Sequence, residues 1–419
     1  MKRLTRIALI GVFLVTAPAA VLATNGDNLI GVGPISRAMG GVGIAAPQDA
    51  ISAVFANPAA MCFGPYCPST EVDFAGTLFM PDVKAEISGP FVGDNKANSD
   101  DSVYAIPAFG LSVPITSGLK PPDWRFGLAA YGVSGLGVDY RESNLDNPNA
   151  FGPGVPLASG TFTQLQIMRF APAIGFQPNA RWSLGLAPII DYSNLDLGEG
   201  SSWNYGFGVQ LGTIFKPTDN IHLGLNYTSP QEVDYKNVAD FDGNGQLDNL
   251  KVETPQELGF GAAYNVTRFL IEADVKWVNW GDAKGYKDFD WDNQWVFAVG
   301  AQFQPVSGLF VRAGYNYAKN PLKDNDGFQG ASLTSVQGKT LPDYYFETFR
   351  VIGFPAVVEQ HLTLGVGYEF SPRFALNLGW MHAFQNSFKE SGTDLTGSPV
   401  NLKSTLSEES FDFGLTFRF

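Results

Sequence analysis

The residues best suited to chemistry in this chain lie in Asp240-Phe241-Asp242-Gly243-Asn244-Gly245-Gln246-Leu247-Asp248. Oxygen-bearing side chains at Asp240, Asp242, Asn244 and Asp248 fall at positions 1, 3, 5 and 9 of a calcium loop, with Gly245 at the sharp-turn position 6. Calcium takes oxygen ligands, so this spacing predicts a calcium site. Position 12 holds Lys251 where a bidentate Glu belongs, which leaves Glu253 as the carboxylate to borrow. An acidic, Gly-rich surface loop is the plainer reading. Catalysis has little to work with: His222, His361 and His382 fall on three separate segments, and no Gly-x-Ser-x-Gly elbow or His-Glu-x-x-His motif occurs. Gly41-Val42-Gly43-Ile44-Ala45-Ala46 is superficially like a dinucleotide loop, but no βαβ unit surrounds it. The chain is therefore expected not to be an enzyme and to require no cofactor beyond that calcium.

The elements that carry these residues read as strands. In the closing segment, Phe411, Phe413, Leu415, Phe417 and Phe419 take one face, while Asp412, Gly414, Thr416 and Arg418 take the other. The same alternation recurs in Leu362–Phe370, Phe374–Trp380, Phe269–Trp277, Leu309–Tyr315 and Ile221–Tyr227. Each run is near the roughly 9–11 residues that cross a bilayer as a tilted strand. Aromatics near the ends of runs (Tyr227, Trp277, Trp295, Tyr317, Trp380) suit interfacial girdles.

The amino terminus supplies the address. Lys2, Arg3 and Arg6 precede an apolar run from Ile7 to Val15 and a stretch of small residues, the layout of a secretory signal cleaved after Ala23. Loss of residues 1–23, with those three cations and no acids, takes the net charge from −14 to −17. That balance excludes a nucleic-acid partner. Cys62 and Cys67, the chain's only cysteines, would then meet an oxidising compartment. A disulfide at the junction of two parts is expected; two free buried thiols are the alternative.

Fourteen strands are predicted, beginning near Val72, Val103, Arg125, Thr161, Trp182, Tyr205, Ile221, Pro255, Arg268, Gln294, Gly308, Val358, Arg373 and Ser410. Short turns alternate with long polar loops, including Pro81–Asp101 and Asn386–Ser407, as in a barrel with its short turns on the periplasmic side. The predicted fold is all-β, a transmembrane antiparallel barrel, over residues 69–419. Residues 24–68 do not alternate. They are rich in Gly and Ala, with one short helix expected from Pro47 to Ala56, and suit a plug folded into the lumen.

Ser36-Arg37-Ala38-Met39-Gly40-Gly41 and Asn57-Pro58-Ala59-Ala60 resemble the amino-terminal region of the FadL-type outer-membrane transporters. Gly135-Leu136-Gly137-Val138-Asp139-Tyr140, Trp277-Val278-Asn279-Trp280, Gln294-Trp295-Val296-Phe297, Ala313-Gly314-Tyr315-Asn316 and His361-Leu362-Thr363-Leu364-Gly365 follow in the same order. The resemblance implies a fourteen-stranded barrel closed by a hatch in a Gram-negative outer membrane. It implies passive transport of long-chain fatty acids or related lipophilic molecules. Ligand would be captured by outer loops, held beside the hatch, and released sideways through a kinked third strand.

Carried onto this chain, the hatch residues are Arg37, Asn57 and Pro58, and the gate is Ser134, Gly135 and Gly137. Met39, Phe55 and Arg312 are the ligand-binding candidates; Arg37, Lys276 and Arg312 are the cations available to a carboxylate. The capture loop expected after the fifth strand is short here, Leu197–Ser202, so Arg141–Gly160 or Asn320–Ile352 would serve instead. Outer-membrane lipid, lipopolysaccharide and the barrel assembly machinery are the expected partners of a monomer. The polar inward residues Glu272, Asp274, Lys276 and Arg312 favour a rival, a water-filled porin or structural adhesive barrel. A lipid hydrolase is a remote third, lacking an assignable Ser–His pair.

Overall fold

The computed structural model describes residues 25–62, 69–100, 103–115, 122–146 and 156–419. The predicted signal segment, Cys67 and the side chain of Cys62 lie outside the described residues, and the expected disulfide with them. Fourteen antiparallel strands close a barrel. They are β1 (Glu71–Gly89), β2 (Tyr104–Pro114), β3 (Asp123–Asp139), β4 (Phe162–Asn179), β5 (Trp182–Asp196), β6 (Ser202–Phe215) and β7 (Ile221–Thr228). The second half is β8 (Glu257–Val266), β9 (Phe269–Val278), β10 (Gln294–Val306), β11 (Leu309–Ala318), β12 (Gln360–Ser371), β13 (Phe374–Thr393) and β14 (Pro399–Arg418). Closure comes from β14, which pairs with β13 and also with β1, from Glu71↔Arg418 to Ser88↔Asn401.

The alternation read in the sequence is the wall's two faces. Phe411 and Phe413 are about half exposed, as are Phe297, Leu364 and Leu225 on other strands, whereas Asp412, Asp274 and Thr363 point inward and are buried. Among the described residues no helix is long and apolar enough to cross a membrane; the strands do the crossing.

Two expected loops are instead barrel wall. β1 continues to Gly89 and pairs with Gly93–Asn98, and β13 pairs with β14 as far as Thr393↔Pro399. The ladder runs on where hydrophobic alternation stops, because outward residues such as Lys389, Lys403, Ser387 and Thr405 stand above the apolar belt. Outward polarity there marks a change of surroundings, not the end of a strand.

The amino-terminal segment is an internal hatch. It contains α1 (Pro34–Ala38), α2 (Ala50–Ala56) and a 3-10 turn at Pro58–Cys62. The helix expected from Pro47 starts three residues later, because Asp49 caps it: its carboxylate accepts the Ser52 N–H at 2.7 Å. α1 was not expected; Pro34 at its start and Gly33 before it were the available signals. Hatch residues from Asn25 to Met61 are buried, Phe55 alone being half-buried.

Candidate functional site: the hatch, the wall gap and the apolar cavities

Polar side chains on the inner wall hold the hatch backbone. The Asp274 carboxylate accepts the N–H groups of Gly43 and Ile44 at 2.9 and 3.2 Å, and Glu272 accepts those of Ala45 and Ala46 at 2.7 and 3.0 Å. Glu71 and Asp73 both accept the Ala50 N–H. Inward polarity, which on sequence favoured a water-filled pore, here satisfies buried backbone N–H groups of residues 43–46 and of the first turn of α2, which have no partner within the hatch helices. His222 and His361 are likewise buried on the inner wall, His361 lying 4.0 Å from Glu408.

Arg37 forms an ion pair with Asp412 at 2.8 Å and donates to the Ser410 hydroxyl at 2.7 Å, so it is committed to the wall. The Asn57 amide donates to the carbonyls of Ile44 (2.8 Å) and Thr213 (3.2 Å), while its oxygen accepts the Ala59 N–H. Inner-wall glycines give the hatch its room. A Cβ on Gly212 would lie 2.0 Å from the Asn57 oxygen and 3.1 Å from Pro58, and one on Gly314 would lie 2.1 Å from the Gly40 nitrogen. Met39 packs against Gly300 in a cluster with Val42 and Ala298, and Arg312 donates to Gln302 and Asn377. Neither lines either of the two cavities described below; Phe55 does.

The third strand leaves its neighbour. β2 and β3 pair only from Pro114↔Arg125 to Ala108↔Tyr131. Beyond Tyr131, β3 keeps its partner β4 but slips register between Gly132 and Ser134, with Val133 as the extra residue. Residues 104–107 of β2 and 132–139 of β3 thus share no ladder, and from Tyr131 to Val138 both faces of β3 are buried. The edge that β2 abandons is taken by the hatch. Leu29 N–H donates to the Val133 carbonyl at 3.1 Å, and Gly135 N–H to the Asp27 carbonyl at 3.1 Å. Ser134 forms a bridge with Asn28, whereas Gly137 is pressed against Thr163 of β4.

Among the small cavities inside the wall, two have largely apolar linings. One, of about 20 Å³, is lined by Leu29, Phe55, Val133, Val278, Glu257 and Lys276 beside the hatch and the gap. The other, of about 40 Å³, is walled by Leu165, Leu250, Tyr286, Phe289, Trp291 and Phe349. Among its described lining residues the one cation, Arg350, is already paired: it donates to Glu347, Glu390 and the Lys323 carbonyl. Burial pushes the Glu347 carboxyl up to about 8, against the pull of Arg350 and with added repulsion from Glu390. Tyr286 touches both regions. It lines the apolar cavity, packs edge-on against Trp280 at 4.5 Å, and its hydroxyl donates to the Asp27 carboxylate. Sequence reasoning missed Tyr286, Asp27 and Arg350; a lone Tyr in a loop carries no periodicity to mark it.

Ligand atoms of Asp240, Asp242 and Asp248 lie within 4.8 Å of one another. Asn244 instead uses its side-chain oxygen to accept the Gln246 N–H, and the Lys339 ammonium sits 2.6 Å from Asp248. A lysine thus supplies positive charge where a cation would bind.

The sequence model of the outer membrane protein transport proteins (OMPP1/FadL/TodX) matches residues 188–327. The fold is similar to that of a Pseudomonas aeruginosa FadL homologue, with a TM-score of 0.68 and 16% identity over 94% of this chain and 100% of the other. It is also similar to the Pseudomonas putida toluene transporter TodX (TM-score 0.65, 19% identity, covering 94% and 100%). The Ralstonia pickettii toluene transporter TbuX scores 0.62 at 17% identity, covering 94% and 99%. No curated protein sequence matches the chain. The chain is thus similar in sequence over residues 188–327, and in fold over nearly its whole length, to the FadL/TodX-type outer-membrane transport proteins.

Proposed function

We propose that this protein carries uncharged lipophilic molecules passively across the outer membrane. Ligand enters the apolar cavity from the outer loops, passes beside the hatch, and leaves sideways between β2 and β3. The observation that carries this reading is the link from Tyr286, a cavity wall, through Asp27 to β3: the Asp27 carboxylate accepts the Tyr286 hydroxyl and its backbone carbonyl accepts the Gly135 N–H on the edge that β2 leaves. A ligand pushing against Tyr286 acts on the one segment that fills the wall gap. Both cavities hold roughly a few waters at most, so passage requires that segment to move. Apolar burial contributes about 25 cal/mol per Å², and sideways release into lipid retains that gain. Net transport then follows the concentration gradient.

The pairing of Arg350 favours uncharged ligands, because a carboxylate would have to displace Glu347 or Glu390 from it. A second reading, long-chain fatty acids, rests on Lys276, which lines the cavity beside the hatch among Leu29, Phe55 and Val133. The polar-porin reading is disfavoured by acids such as Glu272 and Asp274, whose oxygens bind hatch backbone. Uptake of labelled toluene, a long-chain alcohol, a long-chain fatty acid and a sugar, in a host lacking its own transporter, tests this. Uptake of the neutral apolar solutes, lost on deleting Val133, is expected. Sugar uptake unaffected by the deletion would overturn the reading.

A further inference from the structure

The outward face of β13 and β14 carries a charge arrangement that the transport route does not use. Lys389 of β13 stands directly opposite Lys403 of β14, Lys403 opposite Glu86 of β1, and Glu86 opposite Lys96 of the flanking Gly93–Asn98 strand. One carboxylate therefore serves a row of three ammoniums. Glu86 lies 3.2 Å from Lys403 and 2.9 Å from Lys96, while Lys389 is exposed and, among the described residues, has no partner. Lys96 and Lys84 also have acids nearby, Asp94 and Asp82. Like charges directly opposed across a sheet are destabilising. In a chain of net charge −14 the pair is not a by-product of general basicity.

Its height fits one occupant. The apolar belt of Phe413, Phe411 and Leu378 runs past Trp380, whose indole N–H donates to Glu409 at 2.8 Å, and ends on β13 at the exposed Phe384. Lys389 and its partner Lys403 lie about four ladder steps beyond Phe384, allowing for the bulge between Ala383 and Asn386, about 10 Å above that boundary at roughly 3.3 Å per residue and a tilt of roughly 40°. The ladder around the pair is polar: Ser387 bonds Thr405 on one side and Ser391 bonds Asn401 on the other, both at 2.8 Å. We propose that Lys389 and Lys403 dock the phosphorylated saccharide headgroup of an outer-leaflet glycolipid, whose acyl chains lie along the belt below. The phosphate relieves the Lys–Lys repulsion, and the hydroxyl ladder meets the sugar.

The full-length protein in detergent, titrated with lipopolysaccharide, the same glycolipid stripped of phosphate, and inorganic phosphate, provides the test. Each lysine contributes about a fivefold gain in affinity, so Lys389→Gln and Lys403→Gln each weaken lipopolysaccharide binding about that much, and the double variant about 25-fold. Phosphate-stripped glycolipid is expected to bind wild type and double variant alike. Lys389→Glu keeps the fold by pairing with Lys403; it is expected to raise the unfolding temperature of lipid-free protein while weakening glycolipid binding. Equal lipopolysaccharide affinity in wild type and double variant overturns the proposal, as does inorganic phosphate binding as tightly as the glycolipid.

Discussion

Asn57 and Gly212 are fitted to each other so closely that a methyl group on the glycine would stand 2.0 Å from the asparagine oxygen. The Asn57 amide meanwhile bridges a hatch carbonyl and a wall carbonyl. Asn57→Ala leaves those buried groups without their donor and is expected to cost about 1–3 kcal/mol. Gly212→Val forces the hatch away from the wall. Urea unfolding of the purified barrel checks the first, and protease cleavage within residues 25–62 checks the second.

Arg37 and Asp412 are both almost fully buried. Arg37→Met strands the carboxylate and is expected to destabilise the hatch–wall unit by about 3–5 kcal/mol. Arg37→Met with Asp412→Leu recovers most of that loss. A double-mutant cycle in unfolding free energy measures the coupling.

The neutral-solute preference has its own test. Glu347→Gln with Glu390→Gln releases Arg350 into the apolar cavity, which then presents an unneutralised cation. Uptake of a long-chain carboxylate is expected to rise relative to that of the matching alcohol. An unchanged ratio would remove Arg350 from the account of selectivity.

α3 (Asp343–Thr348) and the π-helical turn after it carry a pH dependence. Glu347 is raised from 4.5 to about 8, with burial the main cause. The fold thus favours the protonated form. Its contribution is fully present below about pH 4.5 and is lost as pH rises through 8. Amide exchange over residues 343–353 is expected to quicken above pH 8, and Glu347→Gln to abolish that change.

Calcium and Lys339 compete for the same carboxylates. Removal of an exposed ion-pair partner is a modest change, so Lys339→Ala is expected to tighten calcium binding by about fivefold. Calorimetric titration of wild type and variant decides it; identical isotherms would separate the acidic loop from calcium altogether.

Strand pattern was legible wherever a strand has lipid on one side, because there the alternation of Phe411, Phe413 and their inward neighbours is enforced by two solvents. It failed above the membrane, at Asn386–Ser407, where water wets the outer face and Lys389 or Lys403 reads as loop. Within the site, the Asn57-Pro58 turn and the glycines after Tyr131 were visible as backbone signals. Arg37 was legible as a hatch residue but not as the partner of Asp412, 375 positions away, since nothing local records a pairing across the lumen. Glu272 and Asp274 misled for the same reason: their partners are backbone amides of a distant segment.

The Arg37–Asp412 pair also sets a schedule for making the protein. Its two halves come from opposite ends of the chain, one emerging first and the other on the strand that seals the cylinder. A seam formed before the hatch arrived would enclose a bare carboxylate in an emptied interior. The pair thus ties the segment made early to the strand made last, so that hatch seating and barrel closure are expected to stabilise each other.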